Sequence, residues 1–337
     1  MYNLSRKPLF FLLLFIAGFC FVSCGQKELT TRFEDKTFPN ISITKNIEYC
    51  QATRIGDSVA TPLYFDFYEP ALDTMTRRPL VITIFGGGYV AGNRKWPDMV
   101  ALADSLAHRG FAVASIDYRL IPIKEVNKNN MIRGGYMAAQ DLSTAIRFFK
   151  AHAKQFRIDP DRIFLIGNSA GSISALYVLY VDDDERPAET RLAPDLGDIN
   201  AAGPADLKKY SSSVAGVISQ WGGVTDLNII DADEKTPVCL IHGTKDLEIP
   251  FDQGRSPLLQ LVAPYLYGSK AISQHLDTLN IPHEFHPFKG EGHAFYFLPD
   301  QIHLIPSKLD VNLHIMLDFI NKQTVAEPKP KPHTKHK

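Results

Sequence analysis

Short runs of apolar residues alternate with amphipathic stretches along most of the chain. Runs rich in β-branched and aromatic residues predict strands, and helical spacing of apolar positions between them predicts helices. The predicted strands occupy residues 41–53, 63–68, 80–85, 111–117, 163–166, 214–220, 238–242 and 284–288. The predicted helices occupy residues 99–108, 136–153, 172–180 and 311–321. This order predicts an α/β fold with two early antiparallel strands, then a mostly parallel central sheet flanked by helices on both faces.

Two segments interrupt the alternation of strand and helix. Residues 121–133 are polar and rich in Asn and Lys, and residues 181–213 are acidic, contain proline and show little periodicity. Long insertions of this kind inside a compact domain often carry function. We therefore expect one or both to form a small cap over a ligand site, which in such sheets lies at the carboxyl ends of the strands.

A glycine-flanked serine stands between a predicted strand and a predicted helix. Residues 167–171 read GNSAG and place Ser169 at the turn. A nucleophile on a tight strand-to-helix turn needs glycine on both sides, because side chains there would clash. The N-terminus of the following helix also favours a developing negative charge. Ser169 is therefore the candidate nucleophile.

A serine nucleophile needs an orienting carboxylate. Asp246 follows the buried run 238–242 in the sequence HGTKD, so it lies on a loop at the carboxyl end of a strand. We take Asp246 as the candidate acid, and Asp226, Asp231 and Glu248 are the competing candidates.

The same chemistry needs a general base. His293 ends the sequence KGEGH, which follows the predicted strand 284–288, and its glycines allow the loop to bring an imidazole close. We take His293 as the candidate base, and His242 and His286 are the competing candidates. The order serine, aspartate, histidine along the chain is that of the α/β-hydrolases.

Backbone donors for an oxyanion are expected where the strand 80–85 runs into three glycines. Successive glycines leave backbone N–H groups free to face a ligand. We assign this role to the amides of Gly87 and Gly88, together with that of Ala170, the residue after the nucleophile.

Further residues are expected to line or brace the substrate pocket. Tyr89 follows the glycines, Asn168 precedes the nucleophile and Trp221 follows a predicted strand, so each is a candidate pocket residue. Asp117 and Arg119 lie just beyond another strand, and we expect them to form a buried ion pair or to brace a loop.

These motifs together resemble those of a known family. The glycine triplet, DYRL at 117–120, GNSAG, HGTKD followed by Ile249 and Pro250, and GEGH are similar to the esterase and lipase branch of the α/β-hydrolase superfamily. The likeness is nearest to hormone-sensitive-lipase-like and bacterial feruloyl-esterase-like enzymes, and it covers roughly residues 60–320. Phe85 stands where those relatives usually have His. An aromatic residue there resembles the type B carboxylesterases, whose acid is usually Glu, so the substrate class stays open.

The expected function is hydrolysis of small-molecule or carbohydrate-linked carboxylic esters through an acyl-enzyme, without metal or other cofactor. A prolyl-oligopeptidase-like peptidase or amidase shares the acid-loop pattern and is the first alternative. A non-catalytic hydrolase fold that serves as a binding module is the second. Because a histidine must be neutral to act as a base, activity should decline below about pH 6.5.

The N-terminus has the pattern of an export signal. Arg6 and Lys7 precede an apolar stretch at 9–22, which is too short to span a bilayer about 30 Å thick. FVSC at 21–24 resembles a bacterial lipobox, which implies a signal peptide at 1–23 and lipidation of Cys24. An ordinary secretory signal is the alternative. Either interpretation implies export, and the lipobox implies a lipoprotein of the outer membrane, cell surface or periplasm.

Composition sets the remaining expectations. A net charge of −1 over 337 residues gives no indication of a nucleic-acid surface, and the oligomeric state stays open. Residues 24–40 are expected to form a polar tether, residues 41–322 one catalytic domain, and residues 323–337 a disordered basic, proline-rich tail. Cys50 and Cys239 are expected to be free thiols in this domain.

Overall fold

The computed structural model describes residues 32–298, 300 and 302–325. The predicted signal peptide at 1–23, the lipidation site Cys24, the start of the predicted tether and residues 326–337 of the predicted tail lie outside these residues. Within the described part, no helix combines the length and apolar character needed to cross a membrane.

Eleven strands make up two sheets in the described ranges. They are β1 (Ile41–Ala52), β2 (Thr61–Pro70), β3 (Arg78–Ile84), β4 (Ala112–Ile116), β5 (Ile158–Asn168), β6 (Gly216–Gln220), β7 (Gly223–Val224), β8 (Val238–Gly243), β9 (Gln253–Arg255), β10 (Tyr265–Gly268) and β11 (His283–Phe288). The central sheet has the order β1-β2-β4-β3-β5-β6-β8-β11, and β7-β10-β9 form a small second sheet.

The strands from β4 to β11 in the central sheet run parallel, and β2 pairs antiparallel with both β1 and β4. Every residue of β3, β4, β6 and β8 is buried. Strands covered on both faces need continuous apolar sequence, which explains why these segments appear as unbroken hydrophobic runs. The predicted mostly parallel α/β fold is confirmed.

Five α-helices connect or flank the strands of the described chain. They are α1 (Pro97–Ala107), α2 (Lys128–Ala151), α3 (Ala170–Tyr180), α4 (Ser269–Thr278) and α5 (Pro306–Val325). The four predicted helices match α1, α2, α3 and α5, whereas α4 was not predicted. Helix α2 begins inside the segment 121–133, because Asn127 caps its first turn by accepting a hydrogen bond from the N–H of Asn130.

An aromatic cluster joins the early strands to helix α2. The rings of Phe65 and Phe149 lie 4.8 Å apart, those of Phe67 and Phe156 lie 5.0 Å apart, and Phe148 packs edge-on to Phe65 at 5.7 Å. Aromatic pairs at these distances add to the energy of area burial. This packing holds β2 and α2 together and fixes one end of the sheet.

The segment 181–213, one of the two insertions predicted as possible caps, lies along α2. Arg133 donates to the carbonyl oxygens of Glu189, Leu192 and Pro194 at 2.7–2.8 Å, and Gln140 donates to that of Leu196. Polar side chains of α2 therefore satisfy carbonyls of a segment whose regular structure consists of two short 3₁₀ helices, Ala188–Arg191 and Ala205–Lys209. No residue of 181–213 lines the cavity described below.

Both predicted ends of the catalytic domain extend further than expected. Arg32 forms an ion pair with Asp73 at 2.7 Å, and the ring of Phe33 packs 4.7 Å from that of Phe111. Residues 32–40, predicted as tether, thus pack against the domain. Helix α5 continues to Val325, so the predicted tail from residue 323 begins within a helix.

Candidate active site

The candidate nucleophile sits on a sharp turn between β5 and α3. Ser169 has φ 51° and ψ −117°, and its N–H donates to the carbonyl oxygen of Gln220 at 2.9 Å. A Cβ on Gly171 would lie 2.3 Å from the carbonyl oxygen of Ile84, and one on Gly167 would lie 2.6 Å from that of Gly171. Both glycines are needed because backbone passes too close for any side chain.

Three side chains from distant parts of the chain form one line of hydrogen bonds. Ser169 Oγ lies 2.9 Å from Nε2 of His293, and Nδ1 of that ring lies 2.7 Å from Oδ2 of Asp246. An ionised carboxylate only accepts, so Nδ1 carries the proton and Nε2 accepts from the serine hydroxyl. The structure therefore brings together the three residues predicted to carry the chemistry.

Asp246 accepts four hydrogen bonds in all. Oδ1 accepts from the N–H groups of Glu248 and Ile249 at 2.8 and 2.9 Å, and Oδ2 also lies 3.1 Å from Nε2 of His242. Burial acts to raise the pKa of Asp246, but the hydrogen bonds from His242 and His293 outweigh it and hold the pKa well below its usual range. The carboxylate therefore stays ionised.

His242 is a partner that the sequence suggested only as a competing base. Its ring is fully buried, and Nδ1 lies 2.8 Å from Oγ of Ser269. Since Nε2 of His242 faces the carboxylate of Asp246, Nε2 donates a hydrogen bond to it. Nδ1 then accepts from the hydroxyl of Ser269. The sequence signal for this contact was the position of His242 near the end of β8, four residues before Asp246.

Three of the competing acids and bases lie away from this line of hydrogen bonds. Asp226 is exposed and accepts from the N–H of Asn228, and His286 pairs with Glu284 at 3.2 Å. Asp231 is absent from the described wall of the cavity that opens beside Ser169. Glu248, in contrast, lies at the site, with Oε2 3.7 Å from Nε2 of His293, on the side of the ring opposite Asp246.

Backbone contacts tie the aspartate loop to the histidine loop. The N–H of Thr244 donates to the carbonyl oxygen of Phe288 at 3.0 Å, and that of Lys245 to the carbonyl oxygen of Glu291 at 2.8 Å. Lys308 on α5 forms an ion pair with Glu291 at 2.7 Å. These contacts hold the loops after β8 and β11 in one arrangement.

A cavity of about 300 Å³ opens beside Ser169. Its described wall includes Gly87 and Gly88, which have φ of 103° and 59°, conformations that favour glycine. Most of the wall is apolar, formed by Met131, Ile132, Ile173, Leu259, Ala263, Leu266 and Phe297 among others. Part of the predicted insertion 121–133 thus reaches the cavity. The segment between β8 and β10 supplies much of the remaining wall, which the sequence did not predict.

All three predicted pocket residues line this cavity. Trp221 is buried and its ring lies edge-on, 6.0 Å from that of His293. The hydroxyl of Tyr89 donates to the carbonyl oxygen of Ala170 at 2.9 Å and so braces the turn. The side-chain amide of Asn168 donates to Asp98 and to the hydroxyl of Tyr296, so it stabilises the protein interior.

A buried polar network supports the turn from below and was not predicted. Asp98, in the first turn of α1, accepts hydrogen bonds from Asn168 and Tyr296, and the side-chain amide of Gln220 donates to Asn168. Burial raises the pKa of Asp98 to about 6. These contacts join residues far apart in sequence and leave no local motif.

Asp117 and Arg119 do not pair with each other. Asp117 pairs with Arg94, and Arg119 forms a buried ion pair with Asp141 on α2 at 2.8 Å. The chain leaves β4 at Ile116, so the regular alternation of a strand no longer sets the directions of these side chains. Each of the two therefore braces a different part of the structure.

One group of possible metal ligands lies away from the cavity. Ligand atoms of Cys239, Glu284 and His286 lie within 4.8 Å of one another. Nζ of Lys322 lies 2.9 Å from Oε1 of Glu284, and the two charges cancel each other. Cys50 and Cys239 are both buried free thiols, as expected.

Known proteins are similar to this chain in sequence. A probable isoprenylcysteine alpha-carbonyl methylesterase ICMEL1 of Oryza sativa subsp. japonica is 30% identical over 255 residues, which cover 74% of this chain and 52% of the relative. Esterase LipC of Mycobacterium tuberculosis is 26% identical over 264 residues, 70% of this chain and 59% of the relative. The chain spans about half the length of the curated relatives it matches.

Solved structures share the architecture. Thermogutta terrifontis esterase 2 phosphorylated by paraoxon superposes with a TM-score of 0.58 at 19% identity, covering 87% of this chain and 97% of that one. This likeness and the mostly parallel sheet identify an α/β-hydrolase fold. The BD-FAE family matches residues 65–236, half of the chain, and the chain therefore belongs to the BD-FAE family.

Proposed function

We propose that this protein is a serine carboxylesterase that hydrolyses small-molecule carboxylic esters through an acyl-enzyme. The observation that carries the proposal is the hydrogen-bonded line from Ser169 through His293 to Asp246, which opens on an apolar cavity. Relatives named as esterases support the same reaction class.

The proposed reaction has two halves. His293 accepts the proton of Ser169 at Nε2 while Oγ attacks the ester carbonyl, and Asp246 holds the ring in the required tautomer. Backbone N–H groups of Gly87, Gly88 and Ala170 stabilise the negative oxygen of the tetrahedral intermediate. The C–O bond to the alcohol breaks, and the leaving oxygen takes the proton from Nε2. Water then attacks the acyl carbon with the same base and releases the acid.

The cavity wall favours an ester with an apolar acyl group of limited size. A volume of about 300 Å³ lies at the lower end of small-molecule pockets. Carbohydrate-linked esters fit the same chemistry when the sugar remains outside the cavity. A series of aryl esters of increasing acyl length, with acetylated and feruloylated sugars, identifies the preferred group.

The serine is tested by Ser169→Ala. Without the hydroxyl no acyl-enzyme forms, so hydrolysis of an aryl butyrate should fall at least about a thousandfold. A fluorophosphonate should label the tryptic peptide that contains Ser169 in the wild type and leave the variant unlabelled. The exposed Ser211→Ala variant serves as control and should keep wild-type turnover and labelling. Turnover by Ser169→Ala at the wild-type rate refutes the proposal.

Ester and amide hydrolysis are separated by a substrate pair. An aryl ester releases a phenol and an aminoacyl anilide releases an aniline, so the pair compares cleavage of a C–O bond with cleavage of a C–N bond. We expect kcat/KM for the ester to exceed that for the anilide by orders of magnitude. A preference for the anilide indicates a peptidase of the prolyl-oligopeptidase type.

We also propose that the protein is exported as a lipoprotein with residues 1–23 removed and Cys24 lipidated. The support is the sequence FVSC at 21–24 after the apolar stretch. Cells that express the full chain should incorporate labelled palmitate into it. Cys24→Ala should abolish the label, and the matched variant Cys20→Ala should retain it. Equal labelling of both variants contradicts the assignment.

A further inference from the structure

The described wall of the cavity carries more negative than positive side chains. The carboxylates of Asp98 and Glu248 face it together with the imidazole of His293, and its described wall contains no lysine or arginine. Asp98 is 2% exposed and bonded to Asn168 and Tyr296, so its carboxyl is engaged inside the protein. Glu248 therefore carries the negative charge that an incoming substrate meets.

The position of Glu248 relative to the base is defined by two contacts. Its N–H donates to Asp246 Oδ1 at 2.8 Å, which fixes its backbone to the acid. Its Oε2 lies 3.7 Å from His293 Nε2, the ring atom that also contacts Ser169 Oγ at 2.9 Å. Its side chain is 34% exposed, so a ligand can reach it. Among described residues, no lysine or arginine forms an ion pair with it.

In the proposed reaction, Glu248 faces the alcohol part of the ester. Nε2 delivers its proton to the oxygen of the departing alcohol, so a group beside Nε2 faces the alcohol part of the ester and not the acyl part. A positive charge two carbon atoms beyond the ester oxygen can contact the carboxylate of Glu248, at about 2.8 Å where the cation carries an N–H and at a longer distance where it is a quaternary ammonium. A negative charge at the same place meets repulsion.

We propose that Glu248 selects esters whose alcohol part carries a positive charge, such as amino-alcohol esters, and disfavours those whose alcohol part is anionic. This inference rests on the proposed esterase function and deepens it. The preference belongs to transition-state binding, because the charge pair persists while the alcohol leaves.

The size of the effect follows from the surroundings of Glu248. Exposed charge pairs contribute little, whereas pairs with restricted solvent are several times stronger. With one third of the side chain exposed, we expect about a tenfold preference, which corresponds to about 1.4 kcal/mol. Salt should reduce it, since the pair is partly open to solvent.

The test uses three butyrate esters that differ only in the alcohol. These are the 2-(trimethylammonio)ethyl ester, its uncharged isostere the 3,3-dimethylbutyl ester, and the carboxymethyl ester, which is anionic. The readout is the ratio of kcat/KM values within one enzyme, so a variant with lower overall activity remains informative. We expect the cationic ester to exceed the neutral one about tenfold, the anionic ester to fall below it, and the preference to shrink at high salt.

Two variants complete the design. Glu248→Gln keeps the shape of the side chain and removes its charge, and its cationic-to-neutral ratio should fall close to one. Asp206→Asn makes the same change in net charge at an exposed position outside the cavity, and its ratio should match that of the wild type.

The possible failures are distinct. Hydrolysis of the neutral ester with equal rates for the cationic one overturns the inference and leaves the esterase function intact. A tenfold preference that persists in Glu248→Gln also overturns it, because another group must then bind the cation. Failure to hydrolyse any of these esters or an aryl butyrate refutes the proposed function itself.

Discussion

At the scale of single residues, hydrogen bonding determines which groups keep their charge. Asp246 accepts from two backbone N–H groups and from two imidazole rings, and its pKa lies well below the usual range despite burial. Asp98 is more deeply buried and its side-chain donors are the neutral groups of Asn168 and Tyr296, so burial raises its pKa to about 6. In the proposed mechanism the acid therefore stays ionised, and His293 alone transfers protons.

Asp98 should make stability depend on pH in a defined direction. The unfolded chain ionises this carboxyl near pH 4, whereas the folded protein keeps the proton up to about pH 6. Across this window, rising pH favours the unfolded state. The free energy of unfolding of the wild type relative to Asp98→Asn should therefore fall by about 3 kcal/mol between about pH 4 and 6, and change little above that.

Urea denaturation of both proteins from pH 4 to 8 measures this difference. Asp206→Asn, which changes an exposed carboxylate, should follow the wild-type profile. Parallel profiles for wild type and Asp98→Asn would show that the carboxyl titrates alike in the folded and unfolded chain.

At the scale of elements, helix α2 organises a long segment that has little regular structure of its own. Arg147 donates to the carbonyl oxygen of Ala202 at 3.0 Å and to Oγ1 of Thr144 at 3.1 Å, and Arg133 satisfies three more carbonyls. The segment 181–213 thus owes its position to side chains on the helix, since outside its two 3₁₀ helices it has no regular structure to pair its carbonyls.

Arg147→Met should loosen that segment without reaching the cavity. It removes donors from the carbonyls of Asn200 and Ala202, so amide hydrogen exchange in residues 196–213 should accelerate about tenfold. Lys154→Met removes an exposed positive charge just beyond the same helix and should leave exchange unchanged. Unaltered exchange in Arg147→Met would mean that other contacts position the segment.

The sequence pattern predicted the elements that contain a long run or a stripe of apolar residues. The buried strands and helices α1, α2, α3 and α5 were predicted because each buries a run or a stripe of apolar residues. Helix α4 was not, because its ten residues follow Gly268 without a side-chain cap and bury only a few apolar positions. The strands β7, β9 and β10 contain two to four residues each, too few to form a pattern.

At the scale of the whole molecule, the proposed site depends on one sheet. Ser169, Asp246 and His293 follow β5, β8 and β11, whose carboxyl ends meet at the same edge. Contacts between the loops, such as that from Lys245 N–H to Glu291, add to this arrangement. The active geometry should therefore persist as long as the sheet does.

Loss of activity and loss of structure should therefore coincide. Fluorophosphonate labelling and far-ultraviolet circular dichroism, followed in the same urea series, should give the same midpoint. Ser169→Ala provides the blank for labelling. Labelling that disappears well before the dichroism would show that the histidine loop opens independently of the sheet.

The site was predictable to the extent that its members follow strands in recognisable turns. Ser169, Asp246 and His293 each have a local signature with glycine nearby. Contacts such as those of Asn168 with Asp98 and Tyr296 span 70 and 128 residues and depend on three-dimensional packing that no short motif encodes. The part of the cavity wall between β8 and β10 could not be predicted for the same reason.

The order of strands gives the two halves of the proposed proton relay different surroundings. The serine turn follows an interior strand and is enclosed by backbone on several sides, whereas β11 is the outermost strand, and its residues are only partly buried. A loop of another sequence after Phe288 has to keep the contacts of Glu291 with Lys245 and Lys308, but it displaces no strand on the outer side of β11. This edge of the sheet is the place where protein engineering can change the surroundings of His293, and with them the working pH, while the nucleophile keeps its original setting.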